Sequence, residues 1–270
     1  MAEDRRNHPV RETALGMAAQ QRVIQALLLR EMQVRFGRDN IGILWIIIEP
    51  MMFAITVTLM HAASGFAQHG RGEDVYAFTV IGYCLFIIFR NIFNRAESAI
   101  HESLNLFYHR AVSPLDIVVA KSLVDMIGCT CAVVILLGFG IALDLCDWPA
   151  RPLYLVAATV MIYWLTLGLS MLVAAYAHKH HFFGRLVHPF SYAMVPLSGA
   201  FVTMGFLPTW AREYMAWNPM MTIFEMARYG QFEVATDEYV YSTFAFAVCS
   251  ALSYWGLLAM RRLRTQLHVA

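Results

Sequence analysis

The chain has 270 residues, of which 59% are hydrophobic and only 14% are Asp, Glu, Lys or Arg. With a mean hydropathy of +0.53, this composition excludes an ordinary soluble domain and indicates an integral membrane protein. The formal net charge is only +1, so the charge balance gives no reason to expect a nucleic-acid partner. The positions of the charged residues carry more information than their sum.

The N-terminal region, residues 1–40, is charged and lacks the compact apolar core of a signal peptide. Its second half has helical periodicity from Arg11 to Phe36, because apolar residues recur every fourth position. This stripe consists of Ile24, Leu28, Met32 and Phe36. We expect an amphipathic helix that lies at the cytoplasmic membrane surface, and a soluble cytoplasmic cap is the alternative.

Six apolar stretches then follow, and each has the length and the low charge needed to cross a bilayer. Each must be helical, because lipid offers no partner to backbone amides. The predicted spans are 41–66, 75–94, 117–143, 153–177, 186–204 and 239–260. The second span has the shortest apolar run, which ends at Phe89. Arg90 can snorkel to the membrane surface, so the helix can continue through Asn94. The predicted fold is an all-α integral membrane protein with one transmembrane domain, residues 41–260.

The distribution of basic residues predicts the orientation of these spans. Only four of the twenty Lys and Arg residues, Arg71, Arg151, Arg212 and Arg228, lie on one side of the predicted membrane. The others lie with the termini, in the loops after spans two and four, or in the adjoining ends of spans two and three. Under the positive-inside rule, both termini and the tail 261–270 are cytoplasmic.

The cytoplasmic loop after the second span, residues 97–110, predicts a short amphipathic helix. Ile100, Leu104, Phe107 and Tyr108 share one helical face, and Pro114 ends the helix. Such a helix either docks on a partner protein or lies on the surface without one. We favour docking, because the chain must take its energy from somewhere.

The outer segment between spans five and six, residues 205–238, is too long for a turn and too apolar for a solvated loop. We expect a re-entrant segment on the periplasmic side, buried in protein or lining a cavity. Its aromatic residues Trp210, Tyr214 and Trp217 share a helical face. They form either an aromatic belt at the membrane interface or a path along which sugar rings pass. Glu225 and Arg228 are three apart and are expected to pair.

Two polar features inside or beside the spans allow more than one interpretation. Glu49 lies within the first span before Pro50, so it either faces a polar pathway or is a structural carboxylate paired with Arg90 or another basic group. The cluster His178 to His181 either binds a metal or anionic headgroups or is a solvated basic loop, which we favour.

Sequence motifs for chemistry on this chain are weak. The sequence contains no GxxxxGK[ST] phosphate-binding motif, so an ATPase would have to be a separate chain. His69 and Asp74 have the HxxxxD spacing of acyltransferases, but this pair arises easily by chance and would lie outside. The cysteines sit mostly in apolar runs without ligand spacing, which indicates packing. We therefore expect no catalytic residue, metal or cofactor on this chain.

Three blocks of sequence resemble a known family. They are LREMQVRFGRDNIGILWIIIEPMM from Leu29 to Met52, GYCLFIIFRNIFNRAESAIHESLNLFYHRAVSPLD from Gly82 to Asp116, and PLSGAF, LP, NPM and EMARYGQF between Pro196 and Phe232. Together they resemble the membrane subunit of ABC-2 type capsular polysaccharide exporters, the KpsM group with BexB and CtrC. Exporters of O-antigen, teichoic acid, drugs or lipids share the architecture more loosely, and a membrane acyltransferase is an alternative from another class.

The resemblance implies a homodimer in the bacterial inner membrane, joined to two KpsT-type ATPase subunits that carry ATP and Mg. It also implies periplasmic adaptor and outer-membrane export proteins as partners and a lipid-linked acidic polysaccharide as cargo. The ATPase-coupling residues would be Glu97, His101, Leu104, Phe107, Tyr108 and Arg110. The substrate pathway would include Trp45, Glu49, Arg90, Arg95, Trp210, Tyr214 and Trp217. Arg suits an entrance for an anionic substrate, because its planar guanidinium group pairs with phosphate or carboxylate through two hydrogen bonds.

Overall fold

The computed structural model describes residues 20–34, 74–108 and 112–267, together with 48, 51, 52, 55, 56, 59 and 60. Within these residues the regular structure is entirely helical. The α-helices are α1 (20–34), α2 (Val75–Ala96), α3 (Pro114–Ala142), α4 (Pro152–Lys179), α5 (His181–Leu197), α6 (Thr209–Met215), α7 (Pro219–Gln231) and α8 (Ser242–Leu267). Two segments, His101–Tyr108 and Met204–Phe206, are 3₁₀ helices. The all-helical prediction is confirmed at this level.

Helices α2, α3, α4 and α8 are long and apolar enough to cross a membrane, as predicted for spans two, three, four and six. Of the predicted first span only seven residues are described, and each of them is helical. The predicted fifth span corresponds to α5, which has 17 residues and contains Pro189 and Pro196. The count of six spans therefore stays a prediction.

Helices α2 and α4 form the centre of the bundle. Helix α2 packs against α3, α4, α5 and α7, and α4 also contacts α3, α5, α7 and α8. Other helices enclose more of α2 than of α3 or α4, although both of those helices are more apolar. Its rings Phe89 and Phe93 stack with centroids 5.2 Å apart, and Phe93 contacts Phe190 of α5 at 5.5 Å. Packing against neighbouring helices, and not apolarity alone, therefore sets the central position of α2.

The directions of the helices define two ends of the bundle. Helices α4 and α8 run parallel, since Trp164 Nε1 donates to Ser253 Oγ at 2.8 Å and Gly256 lies against Met171 further along both helices. Helix α3 runs antiparallel to α2. We call the end with residues 97–108, 178–180 and 261–264 the basic end. The end with residues 144–151 and 198–218 is the opposite end.

Helix α1 forms as predicted in its described part, and the predicted stripe lies partly on the face that packs. Leu27 is buried against Ile117 and Ala120 of α3 with Leu28 of the stripe beside it, whereas Met32 is 43% exposed. Gln20 Nε2 also donates to Asp116 Oδ1 at 3.0 Å. Apolar spacing alone did not indicate the contact of Leu27 or this hydrogen bond.

The start of α3 is fixed by a capping box. Ser113 is the N-cap, its hydroxyl accepts from the Asp116 amide, and the Asp116 carboxylate accepts from the Ser113 amide at 3.0 Å. Pro114 occupies the first turn, where its missing amide hydrogen is no loss. Asp116 is therefore both a cap and the acceptor that holds α1.

The predicted outer segment folds into the 3₁₀ helix Met204–Phe206, α6 and α7. Helix α7 is largely buried against α4, α8 and α2. The chain enters this region through Gly199, whose φ of +86° favours glycine. At the facing Gly82 of α2, a Cβ atom would lie 2.1 Å from the Ala200 carbonyl oxygen. The segment after α5 thus packs directly on the backbone of the central helix, and its predicted re-entrant position stays a prediction.

Candidate functional site

The segment from Glu97 to Tyr108 at the basic end is the first candidate site. It consists of a turn over residues 97–100 followed by the 3₁₀ helix, so the predicted α-helical periodicity is wrong here. A 3₁₀ helix has three residues per turn, which aligns Ser103 with the buried Ile100. Leu104 consequently lies outside the buried face and is 42% exposed. Phe107 packs beside α1 and α3, and the side chains of Tyr108 and Arg110 lie outside the described part.

A buried lysine ties this segment to α3. Lys121 Nζ donates a hydrogen bond to Glu102 Oε2, and the side chain of Lys121 is almost fully buried. Burial alone would raise the pKa of Glu102, but the hydrogen bonds from Lys121 and Ser98 outweigh burial and hold this pKa below its ordinary value. Glu102 is therefore ionised at neutral pH and forms a salt bridge with Lys121.

A second ion pair lies one turn from the first. The Arg95 guanidinium at the end of α2 is 3.6 Å from Asp125 Oδ1 on α3, and Asp125 is buried. Ser170 of α4 lines the same small recess together with Arg95 and Asp125. Arg95 thus joins α2 to α3 at the point where the segment 97–108 begins.

Two histidine contacts connect the segment to α4 and α5. His188 Nε2 on α5 is 3.5 Å from Glu97 Oε2, a contact that is an ion pair when His188 is protonated. His101 packs on His178 at the end of α4, with ring centroids 4.9 Å apart. His178 of the predicted basic loop therefore contacts the first candidate site, a placement that sequence reasoning missed.

These contacts make the segment 97–108 a junction of four helices. It continues directly from α2, and through Glu102, His101 and Glu97 it contacts α3, α4 and α5. A displacement of this segment would therefore pull or push on α3, α4 and α5 at the same time. Its outward surface includes the exposed Leu104 and Asn105, which leaves side chains available to a partner. The predicted coupling role is physically reasonable on this geometry and stays a prediction.

The predicted polar entrance is only partly described. Trp45 and Glu49 lie outside the described residues. Arg90 Nη2 donates to Tyr192 Oη on α5 at 3.1 Å, and its guanidinium also lies 5.0 Å from the centre of the same ring. Arg95 contacts α3 instead. The structure thus places Arg90 and Arg95 on different sides of α2 and does not bring them together.

The predicted aromatic face at the opposite end is exposed. Trp210 and Tyr214 lie on α6, and Trp217 lies just beyond it, packed edge to face on Phe244 of α8 with centroids 6.1 Å apart. All three are more than two-thirds exposed. This arrangement is compatible with an interfacial belt and with a sugar path, and both interpretations stay open.

The predicted pair of Glu225 and Arg228 is confirmed, with Arg228 Nη1 3.1 Å from Glu225 Oε1. Arg228 is 3% exposed and also donates to the carbonyl groups of Val202, Gly199 and Ala200. Glu225 Oε1 accepts a second hydrogen bond from an amide of the same loop. The pair therefore fixes the chain between α5 and α6 to α7, and its i, i+3 spacing was the only sequence signal.

The other candidate chemistry finds little structural support. His69 lies outside the described residues, and Asp74 accepts a hydrogen bond from the Asp147 amide at 3.2 Å. Within the described residues, no group of three or more His, Cys, Asp or Glu side chains is arranged to hold a metal ion. Cys146 is buried, and burial raises the pKa of its thiol to about 11, which fits a packing role.

Comparison with known proteins gives consistent results. Residues 22–232 match the family of ABC-2 type transporters. The chain is 34% identical over 219 residues to the capsule polysaccharide export inner-membrane protein CtrC of Neisseria meningitidis serogroup B, covering 80% of this chain and 82% of CtrC. It is 32% identical over 248 residues to the capsule polysaccharide export inner-membrane protein BexB of Haemophilus influenzae, covering 91% and 92%. The polysialic acid transport protein KpsM of Escherichia coli is 25% identical over 222 residues, covering 79% and 82%.

Proposed function

Because the chain belongs to the ABC-2 type transporter family, we propose that it is the membrane subunit of an ATP-driven exporter of capsular polysaccharide. Its relatives that carry capsule polysaccharide export in their names align over most of the chain. The chain is an inner-membrane protein, as those relatives are. ATP and Mg are bound by a separate ATPase, which agrees with the missing phosphate-binding motif.

The observation that carries the mechanism is the junction of four helices at the segment 97–108. In the proposed assembly, two copies of this chain form a homodimer with two ATPase subunits below the basic end. Each ATPase docks on the exposed surface around Leu104 and, when it closes on ATP, displaces the segment. The salt bridge between Lys121 and Glu102 and the contacts of Glu97 and His101 pass this movement to α3, α4 and α5.

The polysaccharide path lies between the two copies. Each copy crosses the membrane six times, because the first span and α5 cross it in addition to α2, α3, α4 and α8. Both termini are cytoplasmic, so the basic end is the cytoplasmic end and the outer segment is periplasmic. Arg90, Arg95 and Glu49 lie near the entrance, where the arginines pair with the anionic lipid or the first acidic sugars. Trp210, Tyr214 and Trp217 offer flat faces near the exit, where adaptor and outer-membrane proteins receive the polymer.

Deleting the gene in its host and following the surface polysaccharide tests this function. Gold-labelled lectin or antibody on thin sections is expected to show polymer retained beneath the inner membrane, with normal surface polymer after the intact gene is returned. Normal surface polymer in the deletion strain would exclude capsular polysaccharide as the cargo. Glycolipid that copurifies with the protein, identified by mass spectrometry, distinguishes capsular polymer from O-antigen or another lipid cargo.

The docking surface has its own test. Leu104→Asp is expected to abolish copurification of the ATPase, because it places a charge in the centre of the proposed contact. The matched control is Leu29→Asp, since Leu29 is an exposed leucine of α1 outside the segment 97–108. Both variants should be present in the membrane at wild-type amounts. Retention of the ATPase by Leu104→Asp would mean that docking uses another surface.

A further inference from the structure

A cavity of about 570 Å³ lies at the opposite end of the bundle, where three separated parts of the chain meet. We call it the outer cavity. Its walls come from the residue before α2, from the loop between α3 and α4, and from the end of α7 with the residues that follow. The side chains that matter for its chemistry are Asp74, Asp147, Trp148, Arg151, Gln231 and Glu233. Its volume is typical of sites that bind small molecules.

The walls of the outer cavity are held in place without a ligand. The Arg151 amide donates to the Gly230 carbonyl at 2.7 Å, which joins the loop to α7. Gln231 Nε2 donates to the Asp147 carbonyl at 2.9 Å. The Asp147 amide in turn donates to Asp74 Oδ2 at 3.2 Å, which joins the loop to the start of α2. The cavity is therefore preformed, and binding would cost little ordering of the protein.

One buried acceptor in the wall lacks a partner. Gln231 is only 3% exposed, and its Nε2 atom is used by Asp147, but Oε1 accepts no hydrogen bond from any described residue. A buried acceptor without a donor is costly and calls for an explanation. Gln231 lines the outer cavity, but its Oε1 atom is covered by protein, so a ligand that donates to it would first have to displace a neighbouring group.

The chemistry of the lining selects the kind of ligand. The carboxylates of the lining accept hydrogen bonds, and Arg151 brings a guanidinium that already donates to the Tyr229 and Phe232 carbonyls. The carboxylates do not converge as ligands of one ion, since no such cluster occurs among the described residues. Trp148 at the rim is 78% exposed and presents a large apolar ring. The hydroxyl groups of a sugar both donate and accept hydrogen bonds, so a sugar can bond the carboxylates and the Arg151 guanidinium at once. Its ring can at the same time pack against the aromatic face of Trp148.

We propose that the outer cavity binds an uncharged pyranose unit of a saccharide, with Trp148 against the ring and the lining carboxylates accepting hydrogen bonds from its hydroxyl groups. The inference rests on the proposed function, because export brings sugars to this face. Three carboxylates against one guanidinium make the cavity acidic, so it disfavours uronic or sialic acids. Within an acidic polymer it therefore selects the neutral units.

Saturation-transfer NMR on the full-length protein in detergent tests the proposal with two matched probes, cellobiose and cellobiouronic acid, which differ by one carboxylate. We expect cellobiose to bind and the acid to bind more weakly. Trp148→Ala should weaken cellobiose binding about tenfold, because it removes the stacking surface. Trp255→Ala, at an exposed tryptophan of α8 outside the cavity, should leave binding unchanged. Glu233→Gln should strengthen binding of the acid and not of cellobiose.

The outcomes separate this inference from the proposed function. Equal binding of cellobiose to wild type and Trp148→Ala overturns the outer cavity as a sugar site, as does binding of neither probe. Tighter binding of the acid than of cellobiose overturns the selection for neutral units. None of these results alters the retention of polymer expected in the deletion strain. Conversely, normal surface polymer in that strain overturns the proposed function whatever the probes show.

Discussion

Charged side chains hold the two ends of the bundle together in different ways. At the basic end, Arg95 and Glu102 remain about half exposed, and each bonds one side chain on α3. At the opposite end, Arg228 is buried and bonds Glu225 together with three backbone carbonyl groups. The first arrangement joins separate elements through single contacts, and the second fixes one loop to one helix through many.

This difference separates a region suited to movement from one suited to rigidity. An ion pair with one half-exposed partner contributes less to stability than a fully buried one, because water competes for the exposed charge. It can therefore break and re-form as elements shift. A buried arginine that loses its partners is costly, so its surroundings must stay in one arrangement. We therefore expect variants at the opposite end to lower the stability of the fold and variants at the basic end to reduce export.

The largest effect is expected from Arg228→Ala. The change leaves the Glu225 carboxylate without its cation and three carbonyl groups without a donor, which costs about 3 to 5 kcal/mol of folding free energy. The thermal midpoint in detergent, followed by fluorescence-detected gel filtration, should fall steeply. Arg264→Ala, at an exposed arginine of α8, is the control and should change little. A folded Arg228→Ala protein with the wild-type midpoint would remove the distinction between the two ends.

A smaller loss is expected from Gly82→Ala, which tests the close packing of the outer loop on α2. The new Cβ would lie 2.1 Å from the Ala200 carbonyl oxygen, so backbone must move. Overpacking of this kind costs about 1 to 3 kcal/mol. Gly138→Ala is a matched control, because a Cβ there meets nothing within 4 Å. Similar thermal midpoints for both variants would show that the contact between α2 and the loop is not tight.

The buried carboxylate at the basic end gives an intermediate case. Asp125→Asn removes the charge opposite Arg95, but the half-exposed guanidinium can turn to water. We expect a loss of at most about 1 kcal/mol, with a larger loss of export measured as surface polymer. Asp144→Asn in the loop after α3 serves as control, since Asn tolerates its φ of +55°. A fall in the thermal midpoint as large as that of Arg228→Ala would contradict the comparison.

The smallest effect concerns pH at Glu102. Its pKa is lowered from an ordinary value of 4.5, so the salt bridge with Lys121 is fully present above that value and is lost only as pH falls through the lower, folded-state pKa. The difference in thermal midpoint between wild type and Glu102→Gln should therefore be the same at pH 7.5 and pH 5.5, so the change with pH is close to zero. A difference that disappears by pH 5.5 would mean that Glu102 is protonated in the folded protein.

Hydropathy predicted the positions of α2, α3, α4 and α8, because the bilayer demands long apolar helices. The capping box of Ser113 that starts α3 was not predicted, since Pro114 was interpreted only as the end of the preceding helix. Spacing also predicted the pair of Glu225 and Arg228. These features depend on residues close together in the chain. The same reasoning assigned α-helical geometry to the segment 97–108 and thereby placed Leu104 on the wrong face.

The contacts that connect separate elements could not be predicted in this way. Lys121 lies 19 residues from Glu102, and the outer cavity joins residues that are far apart in sequence. No periodicity reports such distances, since they depend on how the helices pack. The contact of Leu27 with α3 and the hydrogen bond of Gln20 to Asp116 were missed for the same reason, because both form only in the folded protein.

The central claim is that the salt bridge between Glu102 and Lys121 passes movement of the segment 97–108 to α3. The most direct measurement is surface polymer in hosts that carry Glu102→Lys, Lys121→Glu or both changes. The account predicts that each single variant is present in the membrane but exports poorly, because like charges then face each other. The double variant should export well above either single variant. Normal export by the single variants, or no recovery in a folded double variant, would contradict the claim.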